Sequence, residues 1–334
     1  MCAATILMRP SPLMTRMFST DLLVANLTSP VVLAFALGLI ARLLRSDLEI
    51  PAAIQSYLSI FLLFAIGLKG GVALRSDTPS HLSLLIVMTL FAGVLTAGSA
   101  YALARAWLKD ARVNAAAMAA HFGSVSAVTF IAAQQFTERS GQPADAILVA
   151  LLVALEIPAI LIGLALAKGT GGIRWLQVRE VLVGRTAVLL LGGMAIGVLS
   201  GSAGIKHIDA MYFQLFQGML MLFMLDMGGV AAAQLKSVGQ EAFRLAVYAT
   251  LLPMVHGLLG VALAYWAGMN VPTMTVFGTM TASASYIAAP ASIRASLPEA
   301  NVGRCITAAL GFTFPFNLVI GIPLYAAFAL RLHG

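Results

Sequence analysis

The sequence predicts an all-α polytopic membrane protein of ten transmembrane helices, arranged as two inverted five-helix repeats with broken helices in spans 4 and 9. Three observations predict it. Of 334 residues, 60% are hydrophobic and only 10% are charged, whereas about a quarter of the residues of soluble domains are charged. Short motifs recur in order at nearly one offset. Two apolar stretches, one in each half, are interrupted by glycine, serine or proline.

The formal net charge of +7 comes from basic residues scattered through short connections, never in a run. That pattern argues against nucleic acid as a partner and for a topology signal. Cys2 and Cys305 stand far apart with no metal or redox spacing and read as small apolar residues. Residues 1–26 read as an N-terminal tail. Arg9, Pro10, Pro12 and Arg16 leave no apolar core of signal-peptide type there.

A bilayer core takes about 20 apolar residues per helix. Ten candidate spans follow: 27–44, 52–74, 82–103, 111–135, 144–167, 184–200, 211–235, 243–267, 273–297 and 305–330, the first and sixth being short. Alternate connections receive thirteen and six Lys plus Arg residues. The richer side, with Arg105, Arg179, Arg185, Arg294 and Arg304, is expected in the cytoplasm, which leaves both termini outside.

The repeat supports the same number. "GGVA" at 70–73 recurs at 228–231, "SVS" at 124–126 answers "SAS" at 283–285, "FIAA" at 130–133 answers "YIAA" at 286–289, and Pro158 answers Pro315. An odd number of spans per half makes the second half enter from the opposite side, as in many secondary transporters. The expected organisation is a first five-span repeat over 27–167, a cytoplasmic linker over 168–183 and a second repeat over 184–334.

Irregular backbone at membrane depth is tolerated only where it is buried in protein or lines a cavity. The fourth span is interrupted at Gly123–Ser126 and the ninth within 281–292, where Pro290 removes a helical donor. Each break leaves a second half-helix whose free N–H groups and positive dipole end face the midplane, and inversion brings these ends together from opposite sides. An anion fits between them. Gly123, Ala127, Ala284, Ala288 and Ala289 allow close backbone approach, while Ser124, Ser126, Thr129, Ser283 and Ser285 offer hydroxyls to an oxyanion or oxygen to a small hard cation. Ser, Thr and small residues are also ordinary helix–helix glue in membranes. Two such segments at equivalent repeat positions favour the site.

Ionisable residues within spans are functional candidates. Glu156, two residues before Pro158, either coordinates a coupling cation, carries a proton or hydrogen-bonds neighbouring backbone. Asp226 has a functional role or hydrogen-bonds a helix break at Gly228–Gly229. Lys69 snorkels outward. His256 reads as a packing histidine. His121 adjoins the first break, and Asn317 is placed to brace a neighbouring broken helix. Neither H-E-x-x-H nor G-x-S-x-G occurs, and the chain reads as a protein that is not an enzyme.

On "IGLKGGVALR" (66–75), "FGSVSAVT" (122–129), "EIPA" (156–159), "VHG" (255–257), "ASASYIAAPASIRASLPEAN" (282–301) and "IGIPLY" (320–325), the chain resembles the sodium-dependent bicarbonate transporter family of the cyanobacterial SbtA type. The resemblance implies ten spans in two inverted repeats, homotrimers in the inner membrane, and bicarbonate held with Na+ between the two broken helices. It also implies control by a PII-like cytoplasmic regulator. Carried over residue by residue, it implies binding roles for Gly123, Ser124, Ser126 and Thr129 of the first break and for Ser283, Ser285 and Ile287 of the second. Together with the reading of the breaks and of Glu156, the expected substrate contacts are Gly123, Ser124, Val125, Ser126, Ser283, Ala284, Ser285, Tyr286 and Ile287, and the expected sodium site is Ser126, Thr129, Ser285 and Glu156. The chain departs from that pattern where cyanobacterial members carry an aspartate in place of Tyr286 and polar residues in place of Val128 and Ala288. Two alternatives stay open, a proton-coupled carrier of a small organic carboxylate and a passive anion channel.

Overall fold

Ser29 and Pro30 open the first helix. The Ser29 hydroxyl accepts from the Val32 N–H at 3.3 Å, and Pro30 takes a first-turn position where no donor is needed. This helix, α1, spans Pro30–Leu43. It is followed by α2 (Ala52–Ser76), α3 (Leu82–Leu103, running into a π-helical turn at Ala104–Leu108), α4 (Arg112–Phe122), α5 (Ala127–Arg139) and α6 (Leu148–Lys168). Next come α7 (Trp175–Leu182), α8 (Arg185–Ile205), α9 (Phe216–Lys236), α10 (Ala242–Trp266), α11 (Val271–Thr281) and α12 (Ala288–Ser296). The last stretch, α13 (Val302–His333), contains π-helical segments at Thr307–Thr313 and Asn317–Gly321. A computed structural model describes residues 24, 26–76, 82–168, 175–236 and 242–333. The sequence readings at Cys2, Arg9, Arg16 and Arg174 lie outside them.

The chain is all-helical over the described residues, which contain no strand. Among them, 8 helical stretches are long and apolar enough to cross a membrane, with α4 and α5 counted together as Arg112–Arg139. The first expected span is a helix of 14 residues, short of the membrane length. The ninth divides into α11 and α12, of 11 and 9 residues. The sixth is longer than expected, because α8 continues to Ile205.

Two helix pairs make the most extensive contacts, α2 with α8 and α1 with α9. Lipid tails supply no hydrophobic drive between helices, so close van der Waals packing must hold them, and small residues permit it. Gly67 and Gly193 face one another across the first pair. A methyl group on Gly67 would lie 2.6 Å from the Leu190 carbonyl oxygen, and one on Gly193 would lie 2.8 Å from that of Phe64. Gly38 and Gly228 do the same for α1 and α9.

The helix α8 kinks at Gly201, whose φ of 64° lies in the left-handed region. Carbonyls released there are taken up from α2, where Arg75 Nη1 donates to Val198 O at 3.0 Å and to Leu199 O at 2.8 Å.

The remaining helices gather around α4 and α11. Helix α4 packs on α3 and α6, α11 packs on α10 and on the Ile322–His333 end of α13, and α5 packs on α11. Two ties between distant residues fix this group. The Asp145 N–H donates to Thr273 Oγ1 at 2.9 Å, joining the approach to α6 with the start of α11. The Asn301 N–H donates to Asn114 Oδ1 at 2.9 Å, joining the approach to α13 with the start of α4, where Arg304 also pairs with Asp110.

Two expectations are corrected. No helix break exists at Gly228–Gly229, since α9 runs unbroken through both, and Asp226 accepts instead from Gln55. Pro290 does not interrupt its helix. It occupies the third residue of α12, in the first turn, where a missing N–H leaves no intrahelical bond unmade, and the irregular residues are 282–287.

Candidate functional site

Helix α4 ends at Phe122 and α5 begins at Ala127; α11 ends at Thr281 and α12 begins at Ala288. The intervening segments meet in the interior. The Ser126 N–H donates to Ser283 Oγ at 2.9 Å, and that hydroxyl donates onward to Met280 O at 2.8 Å. In the other direction, the Ser285 N–H donates to His121 O at 2.8 Å. The first segment thus reaches the second at Ser283, and the second reaches the last turn of α4 at His121. Ser124, Val125, Ser126, Ser283, Ala284 and Ser285 are all buried.

The helix starts beyond the segments are capped from within. Ser126 Oγ accepts from the Thr129 N–H at 3.2 Å, and Ser285 Oγ accepts from the Ala289 N–H at 3.1 Å. The expectation of wholly free amide donors is therefore corrected, since the N–H groups of Ser126, Thr129, Ser285 and Ala289 have protein acceptors. The reason is that a donor buried in a low-dielectric interior is costly when unmade. The N–H groups of Ala127, Val128 and Ala288 have no acceptor among the described residues, and they lie at the positive ends of α5 and α12.

Neighbouring helices hold the two segments in place. Gly123 ends α4 against α3, where a methyl group would fall 2.8 Å from Ala97 Cα, and the Thr96 hydroxyl lies 3.4 Å from the Gly123 carbonyl oxygen. Asn317, in a π-helical segment of α13, donates from Nδ2 to Ala282 O at 2.7 Å and accepts from the Tyr325 hydroxyl at 3.1 Å. Such π segments are frequent at functional sites. Thr281 Oγ1 donates to His256 O at 2.9 Å, and the ring of His256 is paired with Ser99 at 2.7 Å. His256 thus packs between α3 and α11.

Tyr286 takes the position where a carboxylate stands in the cyanobacterial pattern. Its ring sits edge-on to Phe314 at 5.8 Å between centroids. Its hydroxyl is buried next to Ser126, yet makes no hydrogen bond of ordinary geometry. Ile287 is half-buried beside it.

Glu156 approaches from α6. Its backbone carbonyl oxygen lies 3.5 Å from Ser124 Oγ. Glu156 also lines a cavity of about 330 Å³ with Ile287 and Ala288 of the second segment and with Arg185, Thr186 and Ser292. A second cavity, of about 260 Å³, is lined by Lys69, Gln134 and Glu138 and reaches the far end of α5. Lys69 is exposed there and pairs with Glu138 at 3.3 Å. The structure thus joins Ser126 to Ser283 directly and Ser285 to the His121 carbonyl, sets Tyr286 beside Ser126, and brings Ser124 to the backbone of Glu156. The roles of Met280 and His121 as carbonyl acceptors carried no sequence signal, because any residue type supplies a carbonyl.

A helical protein with these apolar stretches and buried polar segments is a multi-span membrane protein. The chain belongs to the Na+-dependent bicarbonate transporter superfamily, whose family profile matches residues 30–330. Among curated proteins none matches the chain.

Proposed function

We propose that the chain is a secondary active transporter that takes up bicarbonate together with sodium, with the anion bound between the two interrupted helices. The observation that carries this reading is the reciprocal contact of the segments: Ser126 N–H to Ser283 Oγ, and Ser285 N–H to His121 O. It concentrates two helix N-termini, three hydroxyls and the unpaired Tyr286 hydroxyl in a buried volume, which suits a small oxyanion.

In this reading the protein has ten spans in two inverted repeats, 27–167 and 184–334, joined by the linker 168–183. Reciprocal pairing supports it, since α1 lies on α9 and α2 on α8, as a two-fold exchange of halves requires. Substrate contacts come from Gly123, Ser124, Val125, Ser126, Ser283, Ala284, Ser285, Tyr286 and Ile287. The coupling ion takes oxygens of Ser126, Thr129, Ser285 and Glu156. The protein sits in the inner membrane with both termini outside, assembles as a homotrimer and answers to a PII-like regulator on the face bearing Arg185 and Arg294.

The energetics favour coupling. An anion entering against an inside-negative potential costs about 2.3 kcal/mol per charge per 100 mV. One sodium ion cancels that charge and adds its own gradient. The test is uptake of labelled bicarbonate into proteoliposomes under an imposed sodium gradient. Accumulation that follows the gradient supports the proposal, and uptake indifferent to sodium or to bicarbonate rejects it.

A further inference from the structure

A second polar cavity lies away from the interrupted helices, where α1, α2 and α9 converge. Asp226 forms its base. The carboxylate is 8% exposed, and Gln55 Nε2 donates to Oδ1 at 2.7 Å. The other oxygen, Oδ2, is buried with no hydrogen-bond partner among the described residues. Beside it is a cavity of about 150 Å³, lined by Gly38, Arg42, Glu49, Gln55 and Asp226, a volume equal to about five waters of the liquid.

The chemistry of the cavity selects its occupant. From α1 comes Arg42, from the α1–α2 connection Glu49, from α2 the uncharged Gln55 and from α9 Asp226. Arg42 and Glu49 are exposed at the mouth and of opposite sign, and exposed charges are screened by solvent. Asp226 leaves one negative charge at the buried base, and a buried ion without a counter-charge is strongly disfavoured. An anion would meet that carboxylate. A proton neutralises the charge but leaves the cavity beside it unfilled. A hard monovalent cation satisfies the oxygen and fits the space, since such ions take carboxylate, amide and water oxygens.

We infer that Asp226 Oδ2, together with the Gln55 side chain, holds a small monovalent cation of the sodium class between α1, α2 and α9, at a site distinct from the interrupted helices. The test is equilibrium binding of ²²Na+ to the purified full-length chain in detergent without bicarbonate. The wild type is expected to bind one equivalent more than Asp226→Asn, and Ser126→Ala/Ser285→Ala is expected to retain that equivalent. Equal stoichiometry and affinity in Asp226→Asn overturn the inference, and so does loss of the equivalent in the serine variant alone. If Asp226→Asn does not fold, Gln55→Leu takes its place, with sodium bound about tenfold more weakly at this site; unchanged affinity there overturns it equally. Failure of bicarbonate uptake with this equivalent intact would count against the transport proposal and not against the cation site.

Discussion

The backbone N–H of Ser126 donates to the side chain of Ser283, 157 residues away, at 2.9 Å. No other oxygen of the protein receives that amide among the described residues. Removing the hydroxyl with Ser283→Ala strands a buried donor, at a cost of about 1–3 kcal/mol. The expected outcome is a lower unfolding temperature in detergent and reduced uptake, with Ser283→Thr retaining most of both. Thermal unfolding followed by tryptophan fluorescence checks the first, and proteoliposome flux the second.

Asn317→Leu tests the brace on the second segment. It removes the donor to Ala282 O and the acceptor for the Tyr325 hydroxyl while keeping volume. The buried Ala282 carbonyl loses that donor, at about 1–3 kcal/mol, while the Tyr325 hydroxyl keeps Pro253 O at 3.3 Å. Uptake is expected to fall further than in Ser283→Ala, with apparent affinity for the anion weakened.

Two glycine substitutions should behave oppositely. Gly67→Ala places a methyl group 2.6 Å from Leu190 O, so α2 and α8 must separate, at a cost of about 1–3 kcal/mol. Gly98→Ala meets nothing within 4 Å and gains up to about 1 kcal/mol of helix propensity. Relative unfolding temperatures of the two variants decide the matter, and equal values would contradict the packing described for α2 and α8.

Gly201→Ala forces a side chain into a conformation with φ 64° and ψ −176°, essentially restricted to glycine, which costs about 1–3 kcal/mol. It also crowds the Arg75 guanidinium, whose Nη1 would be 3.0 Å from the new methyl group. Arg75→Leu should destabilise comparably, by leaving Val198 O and Leu199 O without that donor. Limited proteolysis near residue 201 is expected to accelerate in both variants.

Glu156→Gln separates the coupling ion from the anion. With the carboxylate among the proposed sodium ligands, half-saturation for sodium is expected to rise about tenfold, equivalent to about 1.4 kcal/mol. The anion's apparent affinity at saturating sodium should change far less. Uptake titrated against sodium at fixed bicarbonate measures this.

The polar segments were legible because glycine and clustered serines interrupt apolar stretches at equivalent positions of both halves, a match that ordinary helix packing does not require. Gly123–Ser126 lies where α4 ends. The second segment, 282–287, lies within the stretch 281–292 that the sequence marks, but the role given to Pro290 was wrong: proline is the loudest helix-breaking signal there, while the chain uses it in a first turn, where it breaks nothing. The expectation of a helix break beside Asp226 failed for another reason. Its partner, Gln55, is 171 residues away, and no local pattern announces a contact of that range. The same holds for Asp145 with Thr273 and Asn114 with Asn301. Helix α7, Trp175–Leu182, falls in the stretch read as linker, because one short amphipathic turn is hard to tell from a loop when periodicity spans barely two turns.

Because a main-chain amide of each polar segment is held from the other half, Ser126 N–H by Ser283 Oγ and Ser285 N–H by His121 O, a shift of one segment is resisted by the other. In the proposed transport, a cycle that opens this pocket to one face and then to the opposite face carries both segments as one body past the glycine-packed pairs α1–α9 and α2–α8. A guest held between them would travel inside an unchanged frame, and the work of each turnover would fall on the sliding boundary outside that frame rather than on the frame itself.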